Sequence, residues 1–387
     1  MEKFFNMQSE KNKNLYVDLL KITGSLSNLF ADTKTPFLYY RAMENIFCKA
    51  FEADNLSRSD ISADAGKNGI GIGLKTFLHS NGNTFQKVAE FNKESYLLKN
   101  LTSMELIKKV SEMRNERIKT TMRICEFSDM IYHLITRSEN EMKIYEEHMD
   151  LIDIEKIKII KEKTTTIEFF DGKHYYNYNL SKSTLLKRFV TLNLPEKNFS
   201  INILEDPYDF LLSIDKNKTR INREYISLKG IENEVEDYIV LPLYSPKENK
   251  VQEKSGLNQW NANGRKRDYN EVYIPIPSII HKKKGKFFNY NTDDKKTAPF
   301  NVKLPNGKTL SMKVAQQGGK ALMSNPNSAL GEWILRDILQ LKEAELLTKE
   351  KLDTIGIDSV KLSKLKNGNY YLDFIKTGSY EEFEENL

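Results

Sequence analysis

Residues 57–77 read SRSDISADAGKNGIGIGLKTF. Within them Ile70, Ile72 and Leu74 alternate with Gly69, Gly71, Gly73 and Lys75. That period of two marks a strand whose apolar side faces a core. The other side is a row of glycines ending in a lysine, and a strand face without side chains lets something large approach closely. No helix-forming Gly-Lys-Ser/Thr follows the glycines, so a phosphate-cradling nucleotide loop is excluded and the strand reading stands. SADA before it and TFQKVAEFN after it read as neighbouring strands, with HSNGNT as turn material.

Around this stretch the chain divides into segments of different texture. Residues from about Asn14 to Ala53 read as helical: Phe37, Tyr40, Glu44, Phe47 and Phe51 recur at spacings of three and four. A charged helical pattern is expected from about Ser103 to Asp150. IEKIKII and TTTIEFFDGKHYYNYNL read as strands, with Asp171-Gly172 a hairpin signal. After Pro195 short strand-like runs dominate (EVYIPIP, GKFFNY, FNVKLPNGKTLSMKVA), as in a small β-barrel. Gly331 to Glu345 reads as a helix. The expected organisation is an α+β catalytic domain over 1–195, a transition over 196–236, a β-rich domain over 237–345 and an extension over 346–387.

The bulk properties narrow the class. A length of 387 residues favours two domains. With 39% hydrophobic and 29% charged residues and no apolar run of spanning length, a soluble, cytoplasmic protein without membrane contact is expected. The two cysteines, Cys48 and Cys125, sit in apolar helical patterns and read as buried free thiols, and no Cys/His cluster suggests zinc. Net charge is only +5, but between Ser245 and Lys296 twelve Lys/Arg stand against six Asp/Glu. Such a concentrated surplus suits a phosphate-facing surface.

Phosphodiester hydrolysis needs carboxylates to hold Mg²⁺, a cation to steady the charge of the transition state, and an activated water. A hairpin carrying an acid on one strand and a lysine on the next meets this need. Asp64 lies at the end of the strand before Lys75 and Asp60 four residues earlier, and a hairpin would bring either near the lysine. Glu44 is an acid on an apolar stripe and must be paired, metal-bound or neutral; Glu90, on the following strand, is a further candidate. Glu44 has a structural alternative in an ion pair with Arg41 or Arg58, and Asp60 could cap a turn. Two other stretches are expected to face DNA: Arg114 and Arg117 in VSEMRNERIK, and Lys182, Ser183, Lys187 and Arg188 in SKSTLLKRF.

In the second half, SGLNQWNANGRKRDYNEVYIPIP places Asn258, Gln259, Trp260 and Asn261 in a polar loop with Arg265 and Arg267. Amides suit adenine edges and guanidinium forks suit guanine or phosphate. AQQGGKALMSNPNSALGEW adds Lys320, Asn325 and Asn327, so that two loops could grip a groove of duplex DNA.

The hairpin region resembles the PD-(D/E)XK nucleases. The resemblance implies Asp64 as principal metal ligand and Lys75 as stabilising and water-orienting group, with Mg²⁺ as cofactor. It departs in one place: the family's acid two residues before the lysine is here Gly73, and Glu44 or Glu90 would have to replace it. From about Tyr238 to Leu339, GLNQW, GRKRDYNEVYIPIP, the Phe287-Phe288 pair, QQGGKA and LGEWILR resemble the C-terminal domain of NgoFVII-type restriction endonucleases. That domain is a B3-like pseudobarrel that reads duplex DNA. It implies base contacts from Asn258, Gln259, Arg265 and Arg267 on one arm and Lys320, Asn325 and Asn327 on the other. The usual N-terminal partner there, a phospholipase-D-type nuclease with a His-x-Lys motif, has no counterpart, since His174 and His281 lack that context. SxDxxAD…GIGLKTF…KVAEFN and KSTL…RF also resemble the BisI-like endonucleases, which cut a GCNGC-type site when its cytosines are methylated. Together these imply a type II restriction endonuclease, dimeric through its N-terminal domain. The alternative is a DNA-binding regulator with a degenerate nuclease fold.

Overall fold

The computed structural model describes residues 3–56, 61–216, 235–288 and 297–387. Three helices open the chain: α1 (Phe4–Met7), α2 (Glu10–Ser25) and α3 (Tyr40–Phe51). Strands β1 (Asp54–Asn55), β2 (Ala65–Lys67), β3 (Ile70–Leu78) and β4 (Asn83–Glu90) lead to the long α4 (Ser103–Cys125). After it come β5 (Asp129–Ser138), β6 (Glu141–His148), β7 (Lys158–Lys163), β8 (Thr166–Phe170), β9 (Tyr175–Asn179), β10 (Thr184–Val190) and β11 (Lys197–Ser200).

These strands form two sheets, ordered β1-β2-β3-β5-β6-β11 and β4-β10-β9-β8-β7. In the first, β1, β2 and β3 are antiparallel, and α4 carries the chain across so that β5 runs parallel to β3. One face of that sheet, with Ile72, Leu74, Ile131 and Ile135, packs on Tyr16, Leu20, Met43, Phe47 and Phe51 of α2 and α3. α4 starts at a capping box in which Thr102 and Glu105 satisfy each other's backbone. It buries Leu106, Ile107, Val110 and Met113 against the second sheet, and Ile118 joins Phe77, Tyr132, Leu134 and Phe189 between the two sheets.

In the C-terminal half, α5 (Pro207–Lys216) precedes β12 (Val235–Pro242), β13 (Ile274–Pro275), α6 (Ser278–Lys283), β14 (Phe300–Lys303), β15 (Thr309–Ala315) and β16 (Ala321–Ser324). Then α7 (Ala329–Gly331) runs into a π-helical segment, Glu332–Ile338, followed by α8 (Lys349–Ile355), β17 (Ile357–Leu365), β18 (Tyr370–Lys376) and α9 (Ser379–Glu385). The sheet, ordered β12-β17-β18-β14-β15-β16-β13, curls until its two edge strands approach each other, giving a nearly closed barrel. Ile239, Leu241, Ile274, Val302, Val314, Leu322, Val360, Leu362 and Phe374 fill it.

Several expectations from the sequence are corrected. The pattern from Ser103 to Asp150 is helical only to Cys125, and the rest is β5 and β6. MIYHLIT is buried on both faces, which erases the alternation that announces a strand. β4 does not extend the β2–β3 hairpin but pairs with β10 in the other sheet. Residues 196–236 are not all transition, because β11 pairs with β6 and Phe199 and Ile201 enter the first core. Residues 346–387 are no appendage: β17 and β18 occupy the barrel between β12 and β14. Cys48 and Cys125 are free thiols. Among the described residues no helix is long and apolar enough to cross a membrane.

Candidate nuclease site and DNA-facing loops

The β2–β3 hairpin sets the site. Its ladder ends at Ala65 opposite Ile72, and Asp64 continues it with a backbone bond from its N–H to the Ile72 carbonyl (2.8 Å). The Asp64 carboxylate then takes the next donor itself, accepting the Leu74 N–H at 2.7 Å. Lys75 projects from the same face of β3 and brings Nζ to 3.9 Å from Asp64 Oδ2, both side chains being 28% exposed. A half-exposed carboxylate beside an ammonium group is the pairing expected of this hairpin.

The glycine face is not the open surface expected for DNA. A Cβ on Gly71 would lie 2.6 Å from Phe127 Cδ2, and one on Gly73 would lie 2.8 Å from Met149 Cε and 3.1 Å from Tyr132 Cδ1. The large approaching groups are the protein's own side chains. A side chain at Gly73 would need the end of Met149 and the Tyr132 ring to shift.

Of the other acids, Glu44 is buried on α3 and holds Arg41 at 2.9 Å, realising one of its two structural alternatives. It remains near the hairpin: burial, and then the carboxylates of Glu44, Asp54 and Asp64, push the Cys48 thiol up to about 12. Glu90 is removed from the site. It lies on the second sheet, exposed, with its carboxylate on Lys87 (2.8 Å) and Asn92, and these cationic and amide donors hold its pKa low. Asp60 lies outside the described residues. Among the described residues no three His, Cys, Asp or Glu side chains converge as a metal cage. Mg²⁺ needs no such cage where one or two carboxylates are completed by substrate phosphate and water. Asp64 offers one hard oxygen donor of that kind.

The expected DNA contacts sort by burial. Arg114 is interior, donating to the Asp150 carbonyl (2.7 Å) and the Tyr132 hydroxyl (3.4 Å). Arg117 is held by Glu94 at 3.1 Å and the Glu90 carbonyl at 2.7 Å, over the Phe91 ring. Lys187 is fully buried, paired with Glu147 and 4.7 Å above Phe189. All three side chains are committed to partners within the protein. Arg188 lies on the opposite face of β10, 3.7 Å over Tyr175, Lys182 is exposed and Ser183 half-buried.

In the first polar loop Asn258 is completely buried. Its amide donates to the carbonyls of Gln252 (3.1 Å) and Leu347 (3.0 Å) and accepts the Leu347 N–H (2.9 Å). Trp260 packs on the barrel core and meets Tyr269 edge-on, and Gln259 is half-buried beside it. Asn261 donates to the Glu253 carbonyl. Arg267 staples the loop through the carbonyls of Ala262 (2.7 Å) and Asn263 (3.2 Å). Arg265 is paired with Glu271 yet 60% exposed, and Lys266 beside it is exposed as well. In the second loop Lys320, Asn325 and Asn327 are all exposed.

Residues 231–366 match the family described as the NgoFVII C-terminal B3-like DNA-binding domain. The curled seven-stranded sheet fits that description, and the matched span runs through β17. The C-terminal half is thus similar to a DNA-binding domain of the restriction-enzyme type. No curated protein matches the chain.

Proposed function

We propose that the protein is a type II restriction endonuclease that uses Mg²⁺ to hydrolyse phosphodiester bonds at a short duplex site. The observation that carries this reading is the approach of Lys75 to Asp64 on neighbouring strands, in a chain whose other half matches a DNA-binding domain. A hairpin bearing acid and lysine, followed by a crossover helix to a parallel strand, supports the PD-(D/E)XK likeness. Asp64, with Glu44 as the further acid, would hold the ion. Bound there, Mg²⁺ would supply Lewis-acid neutralisation of the scissile phosphate. Lys75 would steady the added negative charge and orient the attacking water. One such pair per chain cuts one strand, so cutting both calls for a second copy through the N-terminal half.

The test is digestion of methylated and unmethylated genomic DNA with Mg²⁺ or with EDTA, followed by sequencing of the ends. A shared sequence at Mg²⁺-dependent ends is the expected result. Cutting confined to methylated DNA would add the BisI-like preference for 5-methylcytosine in a GCNGC-type site. Tight duplex binding without cleavage would favour a DNA-binding regulator, the reading that Gly73 and its filled surroundings keep alive.

The two loops give separable expectations. Lys320→Ala should weaken duplex binding evenly across sequences and lower the slope of log affinity against log salt by about 1. Asn258→Ala should instead cost about 1–3 kcal/mol of stability, because it strands the buried Leu347 N–H. Fluorescence anisotropy over a salt series and urea denaturation read the two. An unchanged slope in Lys320→Ala would take the second loop out of the interface.

A further inference from the structure

Immediately before Asp64 the chain is fastened to two other elements. The Ser62 N–H donates to the Thr121 hydroxyl at 2.9 Å. That hydroxyl in turn donates to the Arg117 carbonyl one turn back along α4, also at 2.9 Å. Thr121 is 1% exposed, so water does not substitute for it. Ile61 packs against the apolar core of the C-terminal barrel. The end of α4 that carries Thr121 is built into the same barrel. Ile124 is part of its core, Arg123 Nε donates to the Ile338 carbonyl at 2.6 Å, and Glu126 pairs with Lys308 at 2.7 Å.

We infer that Thr121 and Ile61 are positioning residues for Asp64, through which the DNA-reading barrel holds the hairpin in its metal-binding register. Neither touches the reacting atoms. The strand that follows Asp64 is short: β2 begins at Ala65 and has only three residues. Asp64 itself is bonded through its backbone to Ile72 and Leu56. Among the described residues the two positions just upstream add a lateral anchor, a hydrogen bond from Ser62 to α4 and the Ile61 side chain against the barrel. Among the contacts between the nuclease half and the reading half, the end of α4 with residues 61–64 is the one that leads directly to Asp64. The inference rests on the nuclease reading of the Asp64–Lys75 pair.

The test uses the full chain with Thr121→Val, Thr121→Ser and Ile61→Ala. Hydrogen exchange at the Ser62 and Asp64 amides is measured alongside single-turnover cleavage, the Mg²⁺ concentration for half-maximal rate, and duplex affinity. Thr121→Val should speed exchange at Ser62 at least tenfold, slow cleavage at least tenfold and raise the Mg²⁺ requirement, with duplex affinity within twofold. Thr121→Ser, which keeps the hydroxyl, should restore all of these. Ile61→Ala should move the same readouts in the same direction. Faster exchange in Thr121→Val with wild-type cleavage and Mg²⁺ requirement would overturn the inference, as would unchanged exchange. A wild-type protein that fails to cut in Mg²⁺ would instead bring down the nuclease reading, and this inference with it.

Discussion

Replacing Lys75 with alanine is expected to slow single-turnover cleavage of duplex DNA by about a hundred- to a thousandfold while duplex affinity stays within a few-fold. The size follows from what a single well-placed donor contributes where charge develops in the transition state, on the order of 3–4 kcal/mol. The asymmetry follows from placement. Lys75 stands on the hairpin beside Asp64, whereas the exposed cations and amides able to grip a duplex, Arg265, Lys320, Asn325 and Asn327, are carried by the barrel half. Lys75→Arg keeps the positive charge but replaces a compact ammonium with a planar fork. It should retain binding and recover only part of the rate. Cleavage by Lys75→Ala at the wild-type rate would move the active site away from this hairpin.

The hairpin was legible because strand alternation is a strong local signal: Ile70, Ile72 and Leu74 fix one face, so Lys75 must share the other with the acid opposite Gly73. What lay over that face was not legible. Glycine reports that something comes close, and it reports a tyrosine ring and a DNA backbone alike. The buried cations were misassigned for a different reason, although the sequence held the clue. In TLLKRFV, Lys187 shares its face with Leu185 and Phe189 while Arg188 points the other way, so treating KR as one basic patch merged two opposite environments. Arg114 likewise falls four residues from both Val110 and Ile118 on the apolar stripe of α4. Asn258 is a harder case, because an amide bonding to backbone 89 residues away leaves no local trace. The end of the barrel was missed because β17 and β18 return to pair with β12 and β14 across a long sequence gap.

Lys187 provides the strongest expected effect on stability. Its ammonium group has no exposure and is paired with Glu147, itself one quarter exposed, across the space between the two sheets. Lys187→Ala should cost about 3 kcal/mol, the lower part of the range for removing one partner of a buried pair, since Glu147 keeps some access to water. Lys187→Met combined with Glu147→Gln should recover much of this by removing both charges. pH adds a signed check. Burial lowers the Lys187 pKa, and the attraction of Glu147 does not offset it. Between the folded value and the ordinary lysine value the unfolded chain therefore holds more protons, so the group's contribution to stability rises with pH across that window. The gap between wild type and Lys187→Ala in urea denaturation should accordingly widen from neutral pH toward the ordinary lysine pKa. DNA binding separates this role from a phosphate contact: the salt slope should be the same in both proteins, whereas a lysine on a phosphate would take about one from it. A variant as stable as wild type, with a shallower salt slope, would put Lys187 on the DNA and out of the core.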